Sequence, residues 1–144
     1  MKQKLRLYLL FILLVLIPAG IYTKFYHGPG QIWVYNYAGD ILYAMFWYFL
    51  LLFAEPLLPP LKTALVTLLF CSMMEFSQLF TSPLLEKIRS TFLGRTLIGV
   101  NFNTADIFYY FVGCGLACII YKQMLHLFGL PSAPPEPERH NDTL

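Results

Sequence analysis

Four long apolar stretches, at residues 7–26, 36–55, 61–80 and 104–126, constrain this chain more than any other feature. Each approaches or reaches the roughly 20 residues with which an α-helix crosses a bilayer. A buried soluble core is the ordinary alternative for any one of them. A chain of 144 residues is about one domain long, however, and has no interior large enough to hide four such helices from water. Composition agrees, with 58% hydrophobic and 12% charged residues against about 45–50% and about 25% in soluble domains. The expected fold is all-α: an integral membrane bundle of four transmembrane helices within residues 1–127.

The opening MKQKLRLYLLFILLVLIPAG has a basic start and an apolar run, as a secretory signal does. No A-x-A pattern follows and the apolar character continues to Tyr26, so an uncleaved first helix is expected, bent by Pro18. Lys2, Lys4 and Arg6 precede this span and only Lys24 lies close after it. The positive-inside rule therefore places the N-terminus in the cytoplasm, and four spans return the C-terminus to the same side.

The connections differ in kind. In HGPGQIWVYNYAGD, Gly28, Pro29 and Gly30 mark a turn, and Trp33, Tyr35 and Tyr37 suit the membrane interface. Pro56, Pro59 and Pro60 make spans two and three an antiparallel hairpin. In TSPLLEKIRSTFLGRTLIGVNFNT, Leu84, Leu85, Ile88 and Phe92 recur at helical spacing opposite Glu86, Lys87, Arg89 and Ser90. That pattern predicts an interfacial amphipathic helix between spans three and four, ended by Gly94, with the rest folding back on the bundle. The polar, proline-rich tail over 128–144 is expected to be disordered.

Cys71, Cys114 and Cys118 are odd in number, lie in predicted spans and read as small packing residues; they form no disulfide framework and no metal spacing. Gly113 and Gly115 with Ala117 read as a small-residue face for close helix packing. A net charge of +2 with scattered basic residues offers no stripe for a phosphate backbone, so no nucleic-acid partner is expected. No motif calls for a cofactor.

Acidic residues inside such stretches need a reason. A carboxylate in mid-membrane costs roughly 2.5–3.5 kcal/mol on insertion scales, and usually faces a bundle interior or a wet cavity. Glu75 is expected about 7 Å below the outer end of the third span, with Gln78 nearer the surface on the same side. Asp40 and Asp106 start from that face too, and the third loop brings Arg89 and Arg95 as counter-charges. These six residues, Asp40, Glu75, Gln78, Arg89, Arg95 and Asp106, form the candidate ligand-binding set. Each has a plainer role open to it: a helix cap for Asp40 or Asp106, an interhelical bond for Glu75, a lipid-phosphate anchor for Arg89 and Arg95.

GDILYA at 39–44, EFSQLF at 75–80 and LIGVNFNTADIFYYFVGC at 97–114 resemble the signature blocks of a bacterial membrane protein family, number 2809 of the domains of unknown function. Gly39 and Asp40 match its first element, Glu75 and Gln78 its second and Arg89 its third. Gly99, Phe102, Asp106, Tyr110 and Gly113 match its last. The resemblance covers roughly residues 5–125. More distantly, the layout is similar to VanZ-like proteins, some of which are associated with resistance to glycopeptides of the teicoplanin type. The helix after Asp106 lacks the Asn expected downstream in those proteins. The closer resemblance implies a location in the bacterial cytoplasmic membrane and no established activity.

The expected function is therefore an outward-facing polar pocket that binds a membrane lipid, a lipid-linked envelope precursor or a membrane protein partner. A membrane-embedded hydrolase or transferase using Glu75 and Asp106 as acid and base is a second expectation. It lacks HExxH, Gly-x-Ser-x-Gly or any activated nucleophile, so no residue is assigned a catalytic role. A transporter would need acidic groups on the inner half, where only Glu55 lies. A structural scaffold is the remaining reading.

Overall fold

A computed structural model describes residues 2–99 and 101–131, and every regular element among them is helical. The order is α1 (Lys2–Thr23), α2 (Gln31–Ala54), α3 (Pro60–Ser77), α4 (Pro83–Arg89), α5 (Phe92–Ile98) and α6 (Thr104–Leu127). The all-helical expectation holds. Three helices, the first from Gln3, then α2 and α6, are long and apolar enough to cross a membrane. Helix α3, the expected third span, forms with 18 residues but is not among those three.

Helix α2 occupies the centre, packing against α1, α3 and α6, while α6 also packs along α3. Leu5, Leu9, Leu13 and Leu16 of α1 form one buried stripe, and Leu7, Phe11 and Leu14 remain exposed. The stripe joins Tyr48, Phe49 and Leu52 of α2 with Ala117, Tyr121 and Leu125 of α6. A second cluster of Ala44, Cys71, Tyr110 and Cys114 lies against Tyr43 and Trp47, so the three buried cysteines are core residues as expected. Pro18 lies inside α1.

Helices α2 and α6 approach closely at Gly113 and not at Gly115. A Cβ on Gly113 would lie 2.5 Å from the carbonyl oxygen of Ile41 and 2.9 Å from the Ala44 Cβ, whereas a Cβ on Gly115 would meet nothing within 4 Å. The expected small-residue face is thus Gly113 with Ala117, one turn apart. Gly115, two positions from each, falls on another side of the helix.

Proline and tyrosine fix one end of the bundle. Pro60 takes the first position of α3, its carbonyl accepts the Tyr48 hydroxyl at 3.1 Å, and the Tyr121 hydroxyl donates to Pro56. At the same end, Arg6 donates to the Ala54 carbonyl at 3.4 Å. Helix α6 closes with a left-handed Gly129, and the Leu130 N–H returns to the Leu125 carbonyl at 2.9 Å, a glycine C-cap. Order therefore continues past 127, and the tail expected to be disordered lies, from residue 132 on, outside the described residues.

At the opposite end the structure departs from expectation in three places. Helix α2 starts at Gln31 rather than 36 and contains a π-turn over Val34–Ala38. Asp40 therefore lies well inside a continuous helix and has no free amides to cap. Helix α3 stops at Ser77, whose hydroxyl donates to the Met74 carbonyl at 2.6 Å, so Glu75 sits in the last turn and Gln78 beyond it.

The third difference concerns the amphipathic segment, which is two short helices rather than one ended by Gly94. Ser82 caps α4 by accepting the Leu85 N–H at 3.2 Å, and Thr91 caps α5 by accepting the Gly94 N–H at 3.0 Å. Gly94 lies inside α5, and a Cβ there would fall 1.8 Å from the Ile88 carbonyl oxygen, so the position has room only for glycine. It permits the two helices to fold tightly on each other.

Candidate functional site

Glu75 is 1% exposed and holds three protein donors. Its Oε1 accepts the backbone N–H of Asn103 at 2.7 Å. Its Oε2 accepts the Gln78 side-chain amide at 3.0 Å and the Tyr110 hydroxyl at 3.1 Å. A buried carboxyl group is costly unless its lone pairs are used; here one side chain ties the end of α3 to the start of α6 and to the chain entering it.

Asn103 is a hub for the same reason. Its Oδ1 accepts the Ala105 N–H at 3.2 Å as the cap of α6, and its Nδ2 donates to Asp106 Oδ1 at 2.7 Å. The cap is therefore Asn103 itself, and Asp106 stands in the first turn, where the helix dipole favours a carboxylate, and holds the Asn103 side chain.

Asp40 is half-buried and lies within electrostatic reach of Asp106, Glu75 and Lys24. Its Oδ2 is buried without a hydrogen-bond partner. Lys24 is the local cation, donating from Nζ to the Tyr35 carbonyl at 2.8 Å and lying 4.7 Å over the Tyr35 ring. The π-turn disturbs the regular i→i−4 ladder, and Lys24 takes up a carbonyl within it. Trp33 and Tyr37 meet Tyr109 beside it, with a Trp33 to Tyr109 hydroxyl bond of 3.3 Å and a stacked Tyr37–Tyr109 pair at 4.5 Å.

Among the described residues, neither Arg89 nor Arg95 pairs with the carboxylates. Arg89 is 8% exposed, and its Nη1 and Nη2 donate to the Phe80 and Ser77 carbonyls at 3.1 and 3.0 Å. It is a second donor to the Ser77 carbonyl, which also accepts the Phe80 N–H at 3.1 Å, and it takes up the Phe80 carbonyl just past the end of α3, where a cation is also favoured by the helix dipole. Arg95 is exposed on α5. Of the six expected residues, Asp40, Glu75, Gln78 and Asp106 are brought together, Arg89 borders them through α3, and Arg95 stands apart.

Four residues outside that set belong to the same end: Lys24, Tyr43, Asn103 and Tyr110. The Tyr43 hydroxyl donates to the Leu97 carbonyl at 2.6 Å, pinning α5 to α2. Tyr110 is one turn beyond Asp106 on α6, a spacing that the sequence shows. The backbone amide of Asn103 has no signature in any sequence.

Among the described residues, no group of three or more His, Cys, Asp or Glu side chains is placed to hold a metal ion. Two surface depressions, one formed by Leu7, Tyr8 and Phe11 and the other by Gln31, Ile32, Tyr35 and Asn36, are not lined by the carboxylates.

This architecture defines a helical protein of membrane type, with three helices able to cross a bilayer and a carboxylate-centred polar network at one end. Residues 30–114, more than half of the chain, match the model of the family described as "Protein of unknown function (DUF2809)". The chain belongs to that family. No solved structure matches it.

Proposed function

We propose that the chain is a four-span protein of the bacterial cytoplasmic membrane whose polar end faces outward and binds an envelope lipid or lipid-linked precursor through its headgroup. Helix α3 supplies the fourth span: 18 residues give a rod about 27 Å long, close to the hydrocarbon thickness of about 30 Å. The basic residues near the N-terminus put both termini in the cytoplasm and the carboxylates outside. Helices α4 and α5 lie in the outer interface, where exposed Leu84, Phe92 and Leu93 meet lipid.

The observation that carries the binding role is the buried, unpartnered Oδ2 of Asp40. Glu75, Asp106 and the Lys24 cation lie within electrostatic reach of it. Such an acceptor calls for a donor, and a headgroup amine or sugar hydroxyl brings one. Native mass spectrometry of the wild type beside Asp40→Asn tests this. A specific lipid kept by the wild type and lost by the variant supports the reading. Equal, unspecific lipid on both removes it.

A scaffold role is the second reading, favoured by the three protein donors that occupy Glu75. The same bonds weigh against acid/base work by Glu75 and Asp106, because they leave Glu75 no open approach for a substrate. Under the scaffold reading, Glu75→Gln lowers stability and leaves bound lipid unchanged.

A further inference from the structure

The segment between α3 and α6 is held to the bundle in an uncommon way. Within α4 and α5 the buried residues are Arg89 and Gly94, a charged side chain and a glycine, while Leu84, Phe92 and Leu93 are exposed. Apolar burial therefore contributes little to its anchorage. What fixes it is a short series of directional contacts: Arg89 to the Ser77 and Phe80 carbonyls, Tyr43 to the Leu97 carbonyl, and Asn103 N–H to Glu75.

Two further features make it a unit with defined ends. Gly94 sits so close to the Ile88 carbonyl that α4 and α5 fold as one body. At its far end Gly99 takes φ +76° with its Cα against the Gln78 side chain, and at its near end Thr81 and Ser82 are non-helical. Regions with few buried apolar contacts open at a lower free energy than the whole fold, and open cooperatively.

We propose that residues 83–99 are a hinged strap closed over Glu75 and Gln78, and that Arg89 is the catch that holds it shut. Release of the two carbonyls frees α4 and α5 to lift together, turning at Thr81 and Ser82 and drawing the Asn103 N–H off Glu75, while their apolar faces stay in contact with lipid. The Leu97 and Asn103 bonds part with them and uncover the Glu75 carboxyl group. What an open strap admits rests on the binding reading above; opening itself needs no ligand, so the two can fail separately.

Hydrogen–deuterium exchange of the full chain in lipid nanodiscs tests the strap. Arg89→Ala is expected to speed exchange in peptides covering 84–98 and at Asn103 by about tenfold or more, with α6 beyond Tyr110 unchanged. Arg89→Lys should fall between. Tyr43→Phe, cut at the other end, is expected to speed the same peptides about threefold or more, and it decides the matter alone if Arg89→Ala does not fold. Acceleration confined to the residues next to each substitution, with Asn103 unmoved by Arg89→Ala or α4 unmoved by Tyr43→Phe, overturns the proposal.

Discussion

The Glu75 carboxyl group accepts the backbone N–H of Asn103 at 2.7 Å, a bond between residues 28 apart in the chain. It closes the polar end of the molecule, because the same side chain also receives Gln78 and Tyr110.

Glu75→Gln replaces one carboxyl oxygen by an NH2 group that faces donors whichever way the amide is turned. One or two buried donors lose their acceptor, and the variant is expected to be less stable by about 1–3 kcal/mol. Tyr110→Phe removes a single donor and should cost about 0.5–1.5 kcal/mol. Reversible unfolding in mixed micelles measures both, and equal stability of Glu75→Gln and wild type would contradict the network.

Gly113 and Gly115 make a matched pair. Gly113→Ala drives a Cβ against the Ile41 carbonyl oxygen and the Ala44 Cβ, so α2 and α6 must part, at a cost of about 1–3 kcal/mol. Gly115→Ala meets open space and is expected to be neutral or to stabilise by about 0.5–1 kcal/mol through helix propensity. The opposite order of melting temperatures would show that α6 is rotated from the arrangement described.

Gly99→Ala faces two obstacles at once: a left-handed backbone at φ +76° and a Gln78 side chain 2.4 Å from the new Cβ. With ψ at 174° this backbone lies in a region essentially reserved for glycine, and it alone costs about 1–3 kcal/mol. Because Gln78 has to shift, the loss should be smaller in a Gln78→Ala background, which a double-mutant cycle measures.

Thr67 is 2% exposed and its hydroxyl has no partner. Thr67→Val keeps the branched shape and removes the unsatisfied group. It is expected to stabilise by roughly 1 kcal/mol, and a loss of stability would reveal an acceptor for that hydroxyl.

The helices were legible because long apolar runs and the prolines at 56, 59 and 60 leave few alternatives. The convergence of Asp40, Glu75, Gln78 and Asp106 was also legible, since the up-and-down order alone puts them at one end. Partners were not. Arg89 was expected to offset carboxylates by charge, but it donates to the Ser77 and Phe80 carbonyls instead. Gly94 resembled a terminator because glycine so often ends helices; its role is to admit the Ile88 carbonyl, a requirement set by folding and absent from any local pattern. The early start of α2 was hidden behind Gly-Pro-Gly and a run of interfacial aromatics. A π-turn leaves no periodic trace by which to find it.

That turn at Val34–Ala38 also bears on how the gene can vary. Removing or adding one residue elsewhere in α2 would rotate everything beyond it by about 100°, moving Tyr48 or Trp33 off its partner. At the π-turn the helix already carries its surplus residue, so a single-codon deletion there restores regular winding with the faces on both sides kept. Length variation among relatives is expected to collect at this point, as slack does in a rod with one expansion joint.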